Sequence, residues 1–186
     1  MDDRALTEQI ISKEVLFDGK VVHLERWQVR LPNLKTATRE AIAHVGAAAV
    51  VAADDAGRIA MVRQHRVVVG EVMLEVPAGK LNFKGEDTLV AAQRELREET
   101  GLTAEHWTRL AHVVTTPGFC DERIALYLAT TLTQGELCPD EDEFLNVRLY
   151  PAAELYGMVY RGEIADMKSV AALLLAKPIL EEMKLI

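Results

Sequence analysis

Apolar and polar positions change their period three times along this chain. Glu14-Val15-Leu16-Phe17 runs into the turn signal Asp18-Gly19, and Val21–Leu31 follows, alternating polar with apolar in its second half. Such alternation predicts a strand with one buried face. Pro32-Asn33 ends it, and residues 36–44 can form a further strand, giving a small antiparallel sheet too thin to stand alone. Next, the unbroken apolar run Ala47–Ala53 turns at Asp54-Asp55-Ala56-Gly57 and returns as Arg58–Gln64. A long helical segment follows, then strands near Trp107–Thr115 and Ile124–Thr131, then an acidic loop. Beyond Pro151, Val170, Leu173 and Leu174 show helical spacing, as do Ile179, Leu180 and Met183, with Pro178 splitting the two groups. Strands and helices mix without strict alternation, which predicts an α+β layered fold with a mixed sheet between helices. No internal repeat or low-complexity linker interrupts the chain.

Composition narrows the picture further. A chain of 186 residues, 49% hydrophobic and 27% charged, suits one globular domain with a small appended segment. No stretch approaches the roughly 18 apolar residues of a membrane helix, and the N-terminus has no signal-peptide core. Cys120 and Cys138 are too few for a disulfide framework and form no CxxC pair, so a cytoplasmic location is expected. The net charge of −8 argues against a nucleic-acid or membrane partner. So acidic a protein needs a metal ion or local arginines to handle phosphates. His23, His44, His65, His106 and His112 show no metal-ligand spacing.

The chemistry concentrates between Gly85 and Leu102. Residues 87–100 are rich in good helix formers, and Gly101 suits the left-handed position after a helix. Leu89, Ala92, Leu96 and Thr100 share one face, while Glu95, Glu98 and Glu99 cluster to another side. An acidic helix face is ordinarily just solvated. Three glutamates in the last two turns, however, oppose the helix dipole and repel one another at i,i+3 and i,i+4 spacing. A bound divalent cation accounts for that arrangement, since hard Mg²⁺ takes carboxylate and phosphate oxygens.

Glu86, seven residues, and then Arg94-Glu95-Leu96-Arg97-Glu98-Glu99-Thr100-Gly101-Leu102 resemble the Nudix signature at eight fixed positions. The departure is at the front, where Gly79 lies seven positions before Glu86 instead of six; the extra residue falls in the loop 80–85. Further segments resemble the ADP-ribose pyrophosphatase branch of that superfamily. They are Val62-Arg63-Gln64-His65-Arg66, Glu75-Val76-Pro77-Ala78-Gly79, and Thr116-Pro117-Gly118-Phe119, with Pro117 sixteen residues beyond Gly101. The acidic loop Pro139–Glu143 and the stretch Gly162–Lys168 complete the set.

The resemblance implies a Nudix-type α/β/α sandwich over residues 46–186, preceded by dimerisation strands over 1–45. It makes Glu95 and Glu99 the principal Mg²⁺ ligands (Mn²⁺ being the alternative), helped by Glu98 and the Ala78 carbonyl. Arg94 and Glu86 would orient those glutamates. Glu141 or Glu143 would supply the general base, with Glu98 also a catalytic candidate. Arg39 and Arg66 resemble substrate-contacting arginines. Arg63 is the weaker candidate, Glu75 could accept from ribose hydroxyls, and Trp27 could stack on a purine. Val21 stands where some relatives carry a stacking aromatic. The implied reaction is hydrolysis of a nucleoside diphosphate sugar, ADP-ribose giving AMP and ribose 5-phosphate, by a homodimer. Another Nudix substrate (a GDP-sugar, a dinucleoside polyphosphate or NADH) and a non-hydrolytic nucleotide sensor are the alternatives.

Overall fold

A computed structural model describes residues 3–136 and 144–186. In chain order its strands are β1 (Gln9–Asp18), β2 (His23–Arg30), β3 (Thr36–Ala43), β4 (Ala47–Ala52), β5 (Arg58–Arg66), β6 (Glu71–Glu75), β7 (Ala78–Lys80), β8 (Leu102–Val114), β9 (Arg123–Gln134) and β10 (Leu145–Pro151). The helices are α1 (Thr88–Thr100), α2 (Ala152–Tyr160) and α3 (Met167–Glu182). They fall into two compact units, Met1–Val45 with Val114–Arg123, and Gly46–Val113 with Ile124–Ile186.

In the larger unit, β4 explains the layering. All six of its residues are buried, so both faces of the strand must be covered. Ala47, Ala49 and Val51 join the core cluster with Ala172, Leu173, Ala176 and Leu180 of α3. Alternation turns Ala48 and Val50 the other way, where α1 packs with buried Ala91, Ala92 and Leu96. The sheet that β4 belongs to has the order β7-β4-β9-β8, with β7 antiparallel and β9 parallel to β4. A second sheet has the order β10-β5-β6, antiparallel throughout. The architecture is the expected α+β sandwich with a mixed sheet between helices. Leu96, wholly buried beneath the sheet, illustrates the stakes: truncating such a leucine to alanine costs roughly 2–5 kcal/mol.

Three local expectations change. The Ala47–Gln64 segment is not a simple hairpin. Both edges of β4 are taken by β7 and β9, so β5 leaves for the other sheet and only the bridge Ala53↔Ile59 remains. Pro178 does not split the tail either: α3 runs through it. The backbone bond lost is to the Leu174 carbonyl; Leu174 and Pro178 are both exposed, so water can satisfy the carbonyl. Leu174 correspondingly faces out, and the buried stripe is Ser169, Ala172, Leu173, Ala176 and Leu180.

The smaller unit holds the sheet β1-β2-β3, antiparallel throughout. Val29 is buried there, whereas all ten residues of β1 are exposed. Bonds from the Ile42 N–H to the Phe119 carbonyl (2.7 Å) and from the His44 N–H to the Asp121 carboxylate (2.6 Å) tie the 114–123 loop to β3 and its end.

Candidate active site

Helix α1 is stopped at both ends by its own residues. The Asp87 carboxylate accepts the Leu89 N–H (2.8 Å), and Gly101, at φ 70°, sends its N–H back to the Arg97 carbonyl (2.9 Å). The helix then buries what sequence patterning would leave in water. Glu95 and Glu99 are 8% and 4% exposed. The Ala78 N–H donates to Glu99 Oε2 at 3.0 Å. Beneath Glu95 lies Gly79, where a built Cβ would stand 2.1 Å from the Glu95 carboxyl carbon. Only a residue without a side chain lets that carboxylate settle on β7.

Arg94 organises the acids around it. Its Nη1 donates to Glu95 Oε1 (2.6 Å) and Glu98 Oε2 (3.2 Å), while its Nη2 donates to the Lys80 carbonyl (3.0 Å) and lies 3.8 Å from Glu86 Oε2. Glu86 in turn accepts the Asn82 N–H (2.6 Å), which closes the loop where the sequence carries its extra residue. Burial alone would lower the Arg94 pKa, but Glu95 and Glu98 raise it above its usual value.

Four carboxylates therefore gather near β7 against one guanidinium, a strongly cation-seeking environment. Among the described residues no three His, Cys, Asp or Glu side chains form a ready-made metal cage. A hard divalent cation commonly uses one or two protein carboxylates and completes its shell with water and substrate phosphate. The donor set fits such an ion, which Glu95, Glu99 and the β7 backbone would hold.

A second polar cluster joins β5, β6 and α3. Arg66 grips Glu75 with two parallel bonds, Nε to Oε1 at 2.8 Å and Nη2 to Oε2 at 2.9 Å. Lys168 Nζ bonds the same Glu75 Oε2 and lies 3.0 Å from Asp166 Oδ2. Burial would raise the Glu75 pKa, but hydrogen bonds and charge from Arg66 and Lys168 pull it down to about 2. Arg66 is raised, first by its bond to Glu75, with longer-range help from Glu99 and Asp166. Asp166 caps α3 by accepting the Ser169 N–H (3.0 Å), and the wholly buried Ser169 Oγ accepts the Val76 N–H (2.8 Å).

Glu75, expected to meet ribose hydroxyls, is thus 3% exposed with both oxygens engaged by Arg66 and Lys168. Arg63 lies three residues from Arg66, so the strand's two-residue period turns it to the opposite face of the sheet. There it lines a cleft of about 300 Å³ with Tyr150, Met158 and Glu163. Periodicity along the chain singles out neither Lys168 nor Ser169 as a site residue. The usable signal is Asp166-x-x-Ser169, a helix-start spacing that places both residues in the first turn.

In the smaller unit, Arg39 is held by Glu8 (Nη2 to Oε1, 2.5 Å; Nε to Oε2, 3.1 Å). Its cross-strand neighbour Trp27 donates to Glu25 (2.6 Å) and carries Lys13 Nζ 4.0 Å from its ring centroid. Val21 is exposed in the turn after β1. Glu141 and Glu143, with Asp142 and Cys138, lie outside the described residues.

An α/β/α sandwich whose Gly-backed helix buries two carboxylates beside an arginine presents an acidic arrangement suited to a divalent cation. Comparison with known proteins makes the class specific. The NUDIX domain model matches residues 43–173, and the chain belongs to the Nudix family, as a hydrolase of that class. It is 42% identical over 168 residues to an ADP-ribose pyrophosphatase of Mycobacterium tuberculosis, covering 89% of this chain and 81% of that one. An ADP-ribose pyrophosphatase of Bacillus subtilis is 41% identical over 174 residues, covering 91% and 92%. A methanol dehydrogenase activator of Bacillus methanolicus is 42% identical over 167 residues, covering 89% and 90%. The crystal structure of an ADP compounds hydrolase shares the fold, with a TM-score of 0.82, 22% identity and 97% of both chains covered.

Proposed function

We propose that this protein hydrolyses ADP-ribose to AMP and ribose 5-phosphate, with Mg²⁺ as cofactor. The observation that carries the reading is the Glu95–Glu99 pair, buried against a backbone that has a glycine where any side chain would expel it. Glu95 and Glu99 would hold a divalent cation there, which would neutralise charge on the diphosphate and lower the pKa of the attacking water. Arg94 and Glu86 hold the carboxylates in place, and Glu98 completes the acidic rim. Arg66, clamped from behind by Glu75, presents its guanidinium to a diphosphate oxygen. Glu75 therefore acts through Arg66, not on the ribose. Glu141 or Glu143 takes the proton from water as it attacks. The choice of ADP-ribose rests on the two ADP-ribose pyrophosphatase relatives and on the matching segments outside the Nudix signature.

The reading includes a homodimer and a cytoplasmic setting. β1 supports the dimer: Ile10, Ile11, Val15, Leu16 and Phe17 are all exposed on a strand with no covered face, an arrangement that a second copy resolves. No helix of the described residues is long and apolar enough to cross a membrane.

The test is product identification across a panel of nucleoside diphosphate compounds with Mg²⁺, repeated after chelation. AMP with ribose 5-phosphate from ADP-ribose, lost on chelation, is the expected result. A kcat/KM for GDP-mannose or a dinucleoside polyphosphate about tenfold or more above that for ADP-ribose would reject the substrate and keep the hydrolase.

A further inference from the structure

Arg66, Glu75, Lys168 and Asp166 form one ladder of alternating charge, and their side chains are 41%, 4%, 13% and 17% exposed. The arginine is thus the most open rung. Glu75 Oε2 is shared between Arg66 and Lys168, so a single carboxylate faces two cations. Asp166 Oδ2 lies 3.0 Å from Lys168 Nζ and also accepts the Ser169 N–H at the start of α3, so the lysine stands between two carboxylates. Without Lys168, Arg66 alone would face the charges of Glu75 and Asp166, and a cluster of net negative charge repels an anion. With it, both carboxylates are countered and the guanidinium keeps its orientation from Glu75.

We propose that Lys168 is a positioning residue for substrate binding: through Glu75 it holds Arg66 oriented and leaves its charge available to the diphosphate. The inference rests on the reading of Arg66 as a diphosphate-binding group. A plain stapling role for Lys168 is the competing account, but α3 is already joined to the same segment by the bond between Ser169 Oγ and the Val76 N–H. A buried ion ladder is also a poor source of stability, because desolvation offsets most of the attraction. Arg66 further lies within electrostatic range of Glu99, so its position matters to a diphosphate held at the carboxylate pair.

The experiment compares K168M, K168R, R66A and the double variant R66A/K168M, with ADP-ribose as substrate and a thermal melt on each. K168M is expected to raise KM about tenfold with kcat within about twofold, K168R to restore KM, and K168M to add less than about twofold in the R66A background. An unchanged KM in K168M beside a raised KM in R66A overturns the inference alone. Equal effects of K168M in both backgrounds overturn it too, since Lys168 would then act independently of Arg66. An unchanged KM in R66A sinks the reading of Arg66 and this inference with it. K168Q, which also lacks the charge, is read in the same way where K168M does not accumulate as folded protein.

Discussion

Gly79 matters for the side chain it lacks. Its backbone needs no left-handed angle, yet a Cβ would enter the Glu95 carboxylate at 2.1 Å. Gly79→Ala should therefore displace the carboxylate, which is the flexible end of its side chain, and spare the fold. The expected outcome is a loss of kcat/KM of roughly 10²-fold with stability changed by less than about 1 kcal/mol, read by kinetics beside urea unfolding. Glu99→Gln keeps an oxygen to accept the Ala78 N–H and relieves repulsion with Glu95. It should lower kcat by about 10²-fold or more while the melting temperature holds, and near-normal turnover in Mg²⁺ would reject Glu99 as a ligand. Glu75 gives a pH signature. Its folded-state pKa, about 2 against 4.5, is depressed, so its contribution is fully present above pH 4.5 and fades as pH falls toward 2. The stability of wild type relative to Glu75→Gln should fall by about 3 kcal/mol between pH 6 and pH 2, with roughly a third of that change still to come below pH 3, in urea titrations.

At the scale of elements, α1 was readable because everything that fixes it is local. Its formers, the Asp87 cap and the Gly101 stop all sit within a few residues of one another. What the helix buries was not readable, because Glu95 and Glu99 point at β7, a partner that periodicity does not name. α3 shows the same limit. Its Pro178 would end an isolated helix, but packing of Ala172, Leu173, Ala176 and Leu180 against the core carries the helix past it. The start of α3 also anchors the segment leading to β7. Ser169→Ala would leave the buried Val76 N–H without an acceptor, at a cost of roughly 1–3 kcal/mol. A lowered urea midpoint at unchanged slope is the expected result, and an unshifted midpoint would remove the bond from the account.

The molecule as a whole is a large unit that covers β4 on both faces and a small one that leaves β1 bare. Ten exposed residues on a strand that includes Ile11 and Val15 are a liability unless another chain covers them. Sedimentation should show a dimer at micromolar concentration, and I11K/V15K should shift it toward monomer. A wild-type protein that sediments as a fully active monomer would reject the assembly.

By itself the sequence determined the family, the α+β class and the identity of the acids. The reason is that spacing along one helix fixes which carboxylates stand a turn apart. Tertiary structure decided what those groups face. It turned Arg63 and Arg66 to opposite faces of β5, because a three-residue offset on a strand changes sides. It also brought Lys168, about a hundred residues away in sequence, onto Glu75. Charge at that range is settled by which elements pack together, and no local pattern along the chain encodes it.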